Sequence, residues 1–246
     1  MTEGRQAHGW LHKSGGGVET LVIIFHGHNS NGDRSRFITL AKWFEHTQID
    51  CLRWNAQREH IQADTWRVTT VSEEYEQVNA LVSSLRSKYK RIIAIGHSQG
   101  ALLALKLCAE GIAQTYIALM GVCDTIESLE RKKQTIGIQT TSGQECTTVT
   151  LPNGVVFGYP ENFFTDFTTW NVRDLLGRHH GASLFVSASR DKLVPPSEVE
   201  QAFAIAHEPK QLLSIDDEHN FSDENARVIA HAIRDWLRKL EDYDKL

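Results

Sequence analysis

The chain of 246 residues has few prolines, 5 in all, and only 4 cysteines, Cys51, Cys108, Cys123 and Cys146, none in a CxxC pair. With 41% hydrophobic and 23% charged residues, this composition excludes a disordered or collagen-like chain and fits one able to bury a sizeable core. The cysteine spacing supports neither a zinc site nor a disulfide framework, and reduced thiols are the expectation. A basic surface is also missing. The formal net charge is −5, so the cationic footprint that a phosphate backbone demands is absent and a nucleic-acid partner is not expected. Apolar runs such as Leu21 to Phe25 and Ala101 to Leu105 fall far short of the roughly 20 residues that span a bilayer. The opening MTEGRQAHGW lacks a basic segment followed by an apolar one, so no secretory signal is read there and a cytoplasmic location is expected.

What the sequence does contain is a regular alternation. Short apolar runs at Leu21 to Phe25, Ile49 to Trp54, Arg91 to Ile95, Tyr116 to Met120, Leu184 to Ala188 and Gln211 to Ile215 read as strands. Between them lie stretches of helical period, from Asp33 to Thr47, Ser98 to Ala109, Pro196 to His207 and Ser222 to Leu240. Val71, Tyr75, Val78, Leu81, Val82, Leu85 and Tyr89 form one helical stripe, opened by a capping box at Thr70 and Glu73. The predicted class is α/β, with a mostly parallel central sheet covered by helices on both faces. Arg91 to Ile95, apolar after its first residue, marks the sheet centre, and Gln6 to His12 leaves room for one short strand before it all.

A single domain over residues 1–246 is expected, interrupted by an insertion at about 123–180 that is too long for a simple connection. Within it, Thr147 to Leu151 and Val155 to Tyr159 flank Pro152-Asn153-Gly154, a hairpin signal, and one helix is read from Glu161 to Leu176.

The chemistry concentrates at Gly96-His97-Ser98-Gln99-Gly100, directly after the central strand and opening a helix. A serine on so sharp a turn needs neighbours two residues away that are small enough for strand and helix to approach, and glycine stands at both places. A serine hydroxyl is a poor nucleophile unaided, so a base and a group orienting that base must lie elsewhere.

In this context the chain resembles the α/β-hydrolase fold family of serine esterases, in which the acid and the histidine follow the serine in that order. Ser189-Arg190-Asp191-Lys192-Leu193-Val194-Pro195 is similar to the family's acid loop, and Asp216-Asp217-Glu218-His219-Asn220-Phe221 to its histidine loop. The resemblance implies Ser98 as nucleophile, His219 as base and Asp191 as the orienting acid, with Asp191 preferred to Asp124, the other position used by some members. Phe25-His26-Gly27-His28-Asn29 resembles the oxyanion loop, which implies the backbone N–H groups of His28 and Gln99 as oxyanion donors. The small insertion and the elbow look like those of carboxylesterases, including cinnamoyl and feruloyl esterases. An Arg-Gly-x-Gly stretch common in the family is replaced by Arg53-Trp54-Asn55-Ala56.

The expectation is therefore a serine hydrolase acting on a small-molecule ester, with thioester or aminopeptidase-like amide cleavage as alternatives and a catalytically silent binding protein as the reading from another class. No metal or organic cofactor is implied: the His26-x-His28 pair reads as loop structure, His179-His180 as solvated, the Asp216 to Glu218 run as a solvated loop, and His97 as a packing residue. The insertion carries Phe157, Tyr159, Phe163, Phe164, Phe167 and Trp170 within 14 residues. Phe164 and Trp170 are candidate walls of a substrate pocket, and a small cap core is the competing use of these rings.

Overall fold

A computed structural model describes residues 8–15, 17–47, 49–56, 59–62, 65–136, 141–143, 146–150 and 156–243. The expected strands appear as β1 (His8–His12), β2 (Thr20–Phe25), β3 (Asp50–Asn55), a central Arg91–His97, then Thr115–Leu119, Ala182–Ala188 and Lys210–Ile215. Numbered with the elements between them, the last four are β6, β7, β11 and β12. They form one seven-stranded sheet in the order β1-β3-β2-β6-β7-β11-β12. Only β1 runs antiparallel, pairing along β3 from His8 opposite Asn55 to His12 opposite Cys51. The remaining neighbours are parallel, which obliges the chain to return between strands through helices.

Strand alternation divides the core. Leu21, Ile23 and Phe25 of β2 and Ile92 and Ala94 of β6 face one cluster, while Val22, Ile24, Ile93 and Ile95 face the other. The first face is covered by α2 (Val71–Leu85), α3 (Gly100–Ala109) and α7 (Pro196–Ile205), the second by α1 (Ser35–Glu45) and α8 (Asp223–Tyr243). A strand buried on both faces cannot alternate apolar with polar residues, which is why these segments are legible as unbroken apolar runs. Each large side chain so buried contributes on the order of 1.5–3 kcal/mol, so many together are needed to offset the roughly 1–2 kcal/mol per residue that ordering the covering helices costs.

Helix ends follow local chemistry. The Thr70 side chain accepts from Glu73 N at 3.1 Å while the Glu73 carboxylate accepts from Thr70 N at 2.9 Å, so the expected capping box opens α2. The stripe that reads on to Tyr89 stops sooner: the helix ends at Leu85, a 3-10 turn covers Arg86–Lys88, and Tyr89 leaves it to donate its hydroxyl to Asp50. The single helix expected from Glu161 to Leu176 is two, α5 (Phe163–Thr169) and α6 (Val172–Arg178). The break lies at Asn171, whose side chain accepts from Asp174 N and caps the second helix.

A second, five-stranded sheet has the order β4-β5-β10-β9-β8, and its sources differ from the sequence expectation. β8 (Thr141–Gly143), β9 (Cys146–Thr150) and β10 (Val156–Pro160) come from the inserted stretch; the hairpin pairs as expected, Phe157 opposite Val149, with its Pro152-Asn153-Gly154 turn outside the described residues. β4 (Glu59–Gln62) and β5 (Thr65–Arg67) come instead from the segment after β3, and β5 pairs parallel to β10 with Trp66 opposite Phe157. The inserted stretch also contains α4 (Thr125–Ile136), which the sequence pattern does not announce. Among the described residues no helix is long and apolar enough to cross a membrane.

Candidate active site

The turn after β6 is built by missing side chains. A Cβ on Gly96 would lie 2.3 Å from Ala101 Cα, and one on Gly100 would lie 2.5 Å from the carbonyl oxygens of both Phe25 and His26. With both positions open, α3 packs directly against the strand that feeds it, and Ser98 is held at φ 53°, a left-handed conformation that few side chains adopt. Its backbone is tied on both sides, Ser98 N donating to Leu119 O at 3.1 Å and Ser98 O accepting from Val122 N at 3.1 Å. The hydroxyl is thereby presented at the carboxyl edge of the sheet, where loops from several strands converge.

Two of those loops supply its neighbours. His219 Nε2 lies 2.9 Å from Ser98 Oγ, and His219 Nδ1 lies 2.8 Å from Asp191 Oδ2. The tautomer follows from the partners: an ionised carboxylate only accepts, so Nδ1 carries the proton and donates to Asp191, leaving Nε2 bare to accept from the serine hydroxyl. The Asp191 side chain is wholly buried, which a carboxylate tolerates only when its lone pairs are taken. Its other oxygen, Oδ1, accepts from Leu193 N at 2.8 Å and Val194 N at 2.9 Å. Asp124 is used differently. Its Oδ1 accepts from Ile126 N and Glu127 N, both at 2.9 Å, as the N-terminal cap of α4.

Residues that the sequence reads as bystanders brace this arrangement. His97 is buried, and its Nε2 lies 2.9 Å from the backbone oxygen of His219; a carbonyl only accepts, so Nε2 carries the proton and donates. Its ring also contacts the His219 ring, with centroids 5.0 Å apart. Burial, helped by the nearby His219, pushes its pKa well below the ordinary histidine value and keeps it neutral. Asp217, expected as part of a solvated acidic run, instead organises the histidine loop: it accepts from Glu218 N, Ser222 N and the Asn225 side chain, and its own carbonyl accepts from Arg190 N of the acid loop. Burial alone would raise its pKa, but these donors outweigh that and hold it at about 2. The only sequence signal for this is an Asp four residues before the Phe221-Ser222 pair, which is weak.

The strand-end loop after β2 lies against the serine. A Cβ on Gly27 would be 2.9 Å from Ser98 Cβ, so this glycine permits the approach that brings His28 to the site. His26 fixes the loop from behind, its Nε2 accepting from Ala56 N at 3.0 Å, its Nδ1 donating to Gly27 O at 2.8 Å, and its ring stacked on Trp54. His28 Nε2 lies 2.8 Å from the hydroxyl of Tyr159, which also accepts from Asn29 Nδ2 at 2.7 Å. Through Tyr159 the small sheet is joined to this loop. Gln99 is buried, and its side chain donates to Glu74.

Of the two aromatic candidates, Phe164 stacks on Tyr159 and lines a narrow cavity of about 20 Å³ with His28. Trp170 packs against Tyr75 and lines two other surface grooves, not that cavity. His179 is buried rather than solvated, because it is packed beside Tyr116, and only His180 is exposed. Among the described residues no group of three or more His, Cys, Asp or Glu gathers as metal ligands would.

No family model matches the sequence, and no curated protein matches it. Solved structures do match in architecture. Est1E from Butyrivibrio proteoclasticus, in a structure with ferulic acid bound, superposes with a TM-score of 0.76 over 95% of this chain and 94% of that one, at 17% identity. The fold is that of the α/β hydrolases. The esterase domain of a Rhodothermus marinus protein is similar at a TM-score of 0.69, 17% identity and 96% and 99% coverage. The mouse alpha/beta hydrolase domain-containing protein 10 gives 0.72 at 13% identity, covering 98% of each chain.

Proposed function

We propose that the protein is a serine hydrolase that cleaves carboxylic esters, with Ser98 as nucleophile, His219 as base and Asp191 as its orienting acid. The observation that carries this reading is the continuous hydrogen-bonded relay from Ser98 Oγ through the His219 ring to a buried Asp191. On attack, Ser98 Oγ bonds to the ester carbonyl carbon while its proton passes to His219 Nε2. The negative charge that develops on the carbonyl oxygen is received by the backbone N–H groups of His28 and Gln99. Collapse breaks the bond to the leaving alkoxide, which takes the proton from His219 and departs as alcohol. Water then attacks the acyl-serine, gives its proton to His219, and the acid leaves as the proton returns to Ser98. Asp191 stabilises the imidazolium formed in each half without taking the proton itself.

The same reading makes residues 1–246 one hydrolase domain whose inserted residues, about 123–180, form a cap over the site, with Phe164 as a wall of the substrate pocket. Likeness to esterase structures supports an ester as substrate, since the fold hosts other acyl transfers as well. The test is a matched panel of p-nitrophenyl acetate, butyrate and octanoate, methyl ferulate, an acyl-CoA and an aminoacyl anilide, with wild type and Ser98→Ala. Ser98-dependent turnover is expected for the oxygen esters and weakest for the anilide. Turnover confined to the thioester or the anilide replaces the substrate class, and turnover nowhere by folded protein removes the enzyme reading.

Tyr159 enters this account as a positioning residue, because its hydroxyl holds both His28 and Asn29 of the proposed oxyanion loop. Tyr159→Phe keeps the ring stacked on Phe164 but releases that loop, and kcat is expected to fall about tenfold with KM little changed. A change in KM alone would assign the hydroxyl to substrate binding instead.

A further inference from the structure

The narrow cavity beside His28 has one feature that its aromatic walls do not explain. Leu129 and Lys132 stand one turn apart on α4 and face it together, opposite Tyr159, Phe164 and Phe167. The Lys132 ammonium lies 4.9 Å from the centre of the Phe167 ring, and among the described residues it has no hydrogen-bond or ion-pair partner. Its neighbour on the helix, Arg131, is by contrast matched by Glu127 and by Glu198 of α7. The opposing charge that acts on Lys132 is Glu74, and the Glu74 carboxylate is engaged with Thr69 and with the side chain of Gln99. Burial pushes the lysine down to about 8, the direction expected of a cation short of compensating partners, with Glu74 acting against that.

The position is close to the proposed chemistry on two sides. His28, one wall of the cavity, follows the glycine that touches Ser98, and Glu74 links Lys132 electrostatically to Gln99, the residue after Ser98. A volume of about 20 Å³ holds the polar end of a short chain and excludes an aromatic ring.

We propose that Lys132 is a specificity-determining residue that receives a carboxylate carried by the substrate a few atoms from the scissile ester, so that half-esters of short dicarboxylic acids are preferred. This deepens the ester-hydrolase reading and rests on it. The aromatic rings make the cavity's surroundings apolar, which strengthens the charge-assisted bond between ammonium and carboxylate, and the ring of Phe167 holds the ammonium in place before substrate arrives.

The test compares kcat/KM for monomethyl succinate with that for methyl levulinate, a neutral ester of the same length, alongside fluorophosphonate labelling of the same preparations. Wild type is expected to favour the anionic ester roughly tenfold to a hundredfold. Lys132→Met is expected to bring the ratio to about one, and Lys132→Arg, which keeps the charge, to retain most of it. A wild-type ratio near one overturns the proposal without reference to any variant, as does a ratio unchanged in Lys132→Met. In either case labelling and turnover of the neutral ester leave the hydrolase reading standing. Neither labelling nor turnover of either ester overturns both.

Discussion

Ser98→Ala is expected to lower kcat on the best ester by roughly four to six orders of magnitude, with KM changed only a little. The nucleophilic oxygen is lost, and what remains is the rate that oriented donors and binding give to direct attack by water. The substitution is structurally mild. Ser98 already adopts φ 53° as a residue with a Cβ, its backbone bonds to Leu119 and Val122 do not involve the hydroxyl, and only the His219 Nε2 contact is lost. Thermal unfolding should therefore be nearly that of wild type while activity disappears. A variant that keeps more than about a hundredth of the wild-type rate would mean that the chemistry does not pass through this oxygen.

The second large effect separates two aspartates. Asp191→Asn is expected to cost about four orders of magnitude in kcat. The reason lies in which oxygen is already engaged. Oδ1 accepts from two backbone N–H groups, Leu193 and Val194, so an asparagine keeps its carbonyl there and turns its NH₂ towards His219. A donor facing Nδ1 forces the imidazole proton onto Nε2, where it can no longer take the proton of Ser98. Asp124→Asn is expected to leave the rate within a few-fold, since an asparagine can still cap α4, and even Asp124→Ala should cost only about 1 kcal/mol of stability. Steady-state kinetics of the two asparagine variants decide the matter, and the reverse ranking would transfer the acid's role to Asp124.

How much of this was legible in the sequence depends on how local the signal is. Ile92 to Ile95 and Leu21 to Phe25 announce themselves because burial on both faces demands an apolar run. Gly96 and Gly100 announce the turn because no larger residue fits where they stand. The order of Ser98, Asp191 and His219 is a chain property, and their meeting follows once the strands are parallel. β4 and β5 are not legible: they are four and three residues long, and they are strands through pairing with each other and with β10, some 90 residues away. α4 escapes because its apolar face is thin, with Leu129 buried but Ile126 exposed and charges at Glu127, Glu130, Arg131 and Lys132. The break between α5 and α6 turns on one asparagine in an otherwise helical stretch. His97 reads correctly as a residue that packs, yet its bond to the His219 backbone, 122 positions along the chain, is a tertiary fact with no local trace.

The most direct test of the central claim, that Ser98 is an activated nucleophile, is the mass of the protein after a fluorophosphonate probe, followed by assignment of the modified peptide. One adduct per chain on the peptide that contains Ser98 is predicted, formed by wild type, absent from Ser98→Ala and slowed in Asp191→Asn. A folded wild-type protein that stays unmodified, or an adduct on any other residue, would contradict it.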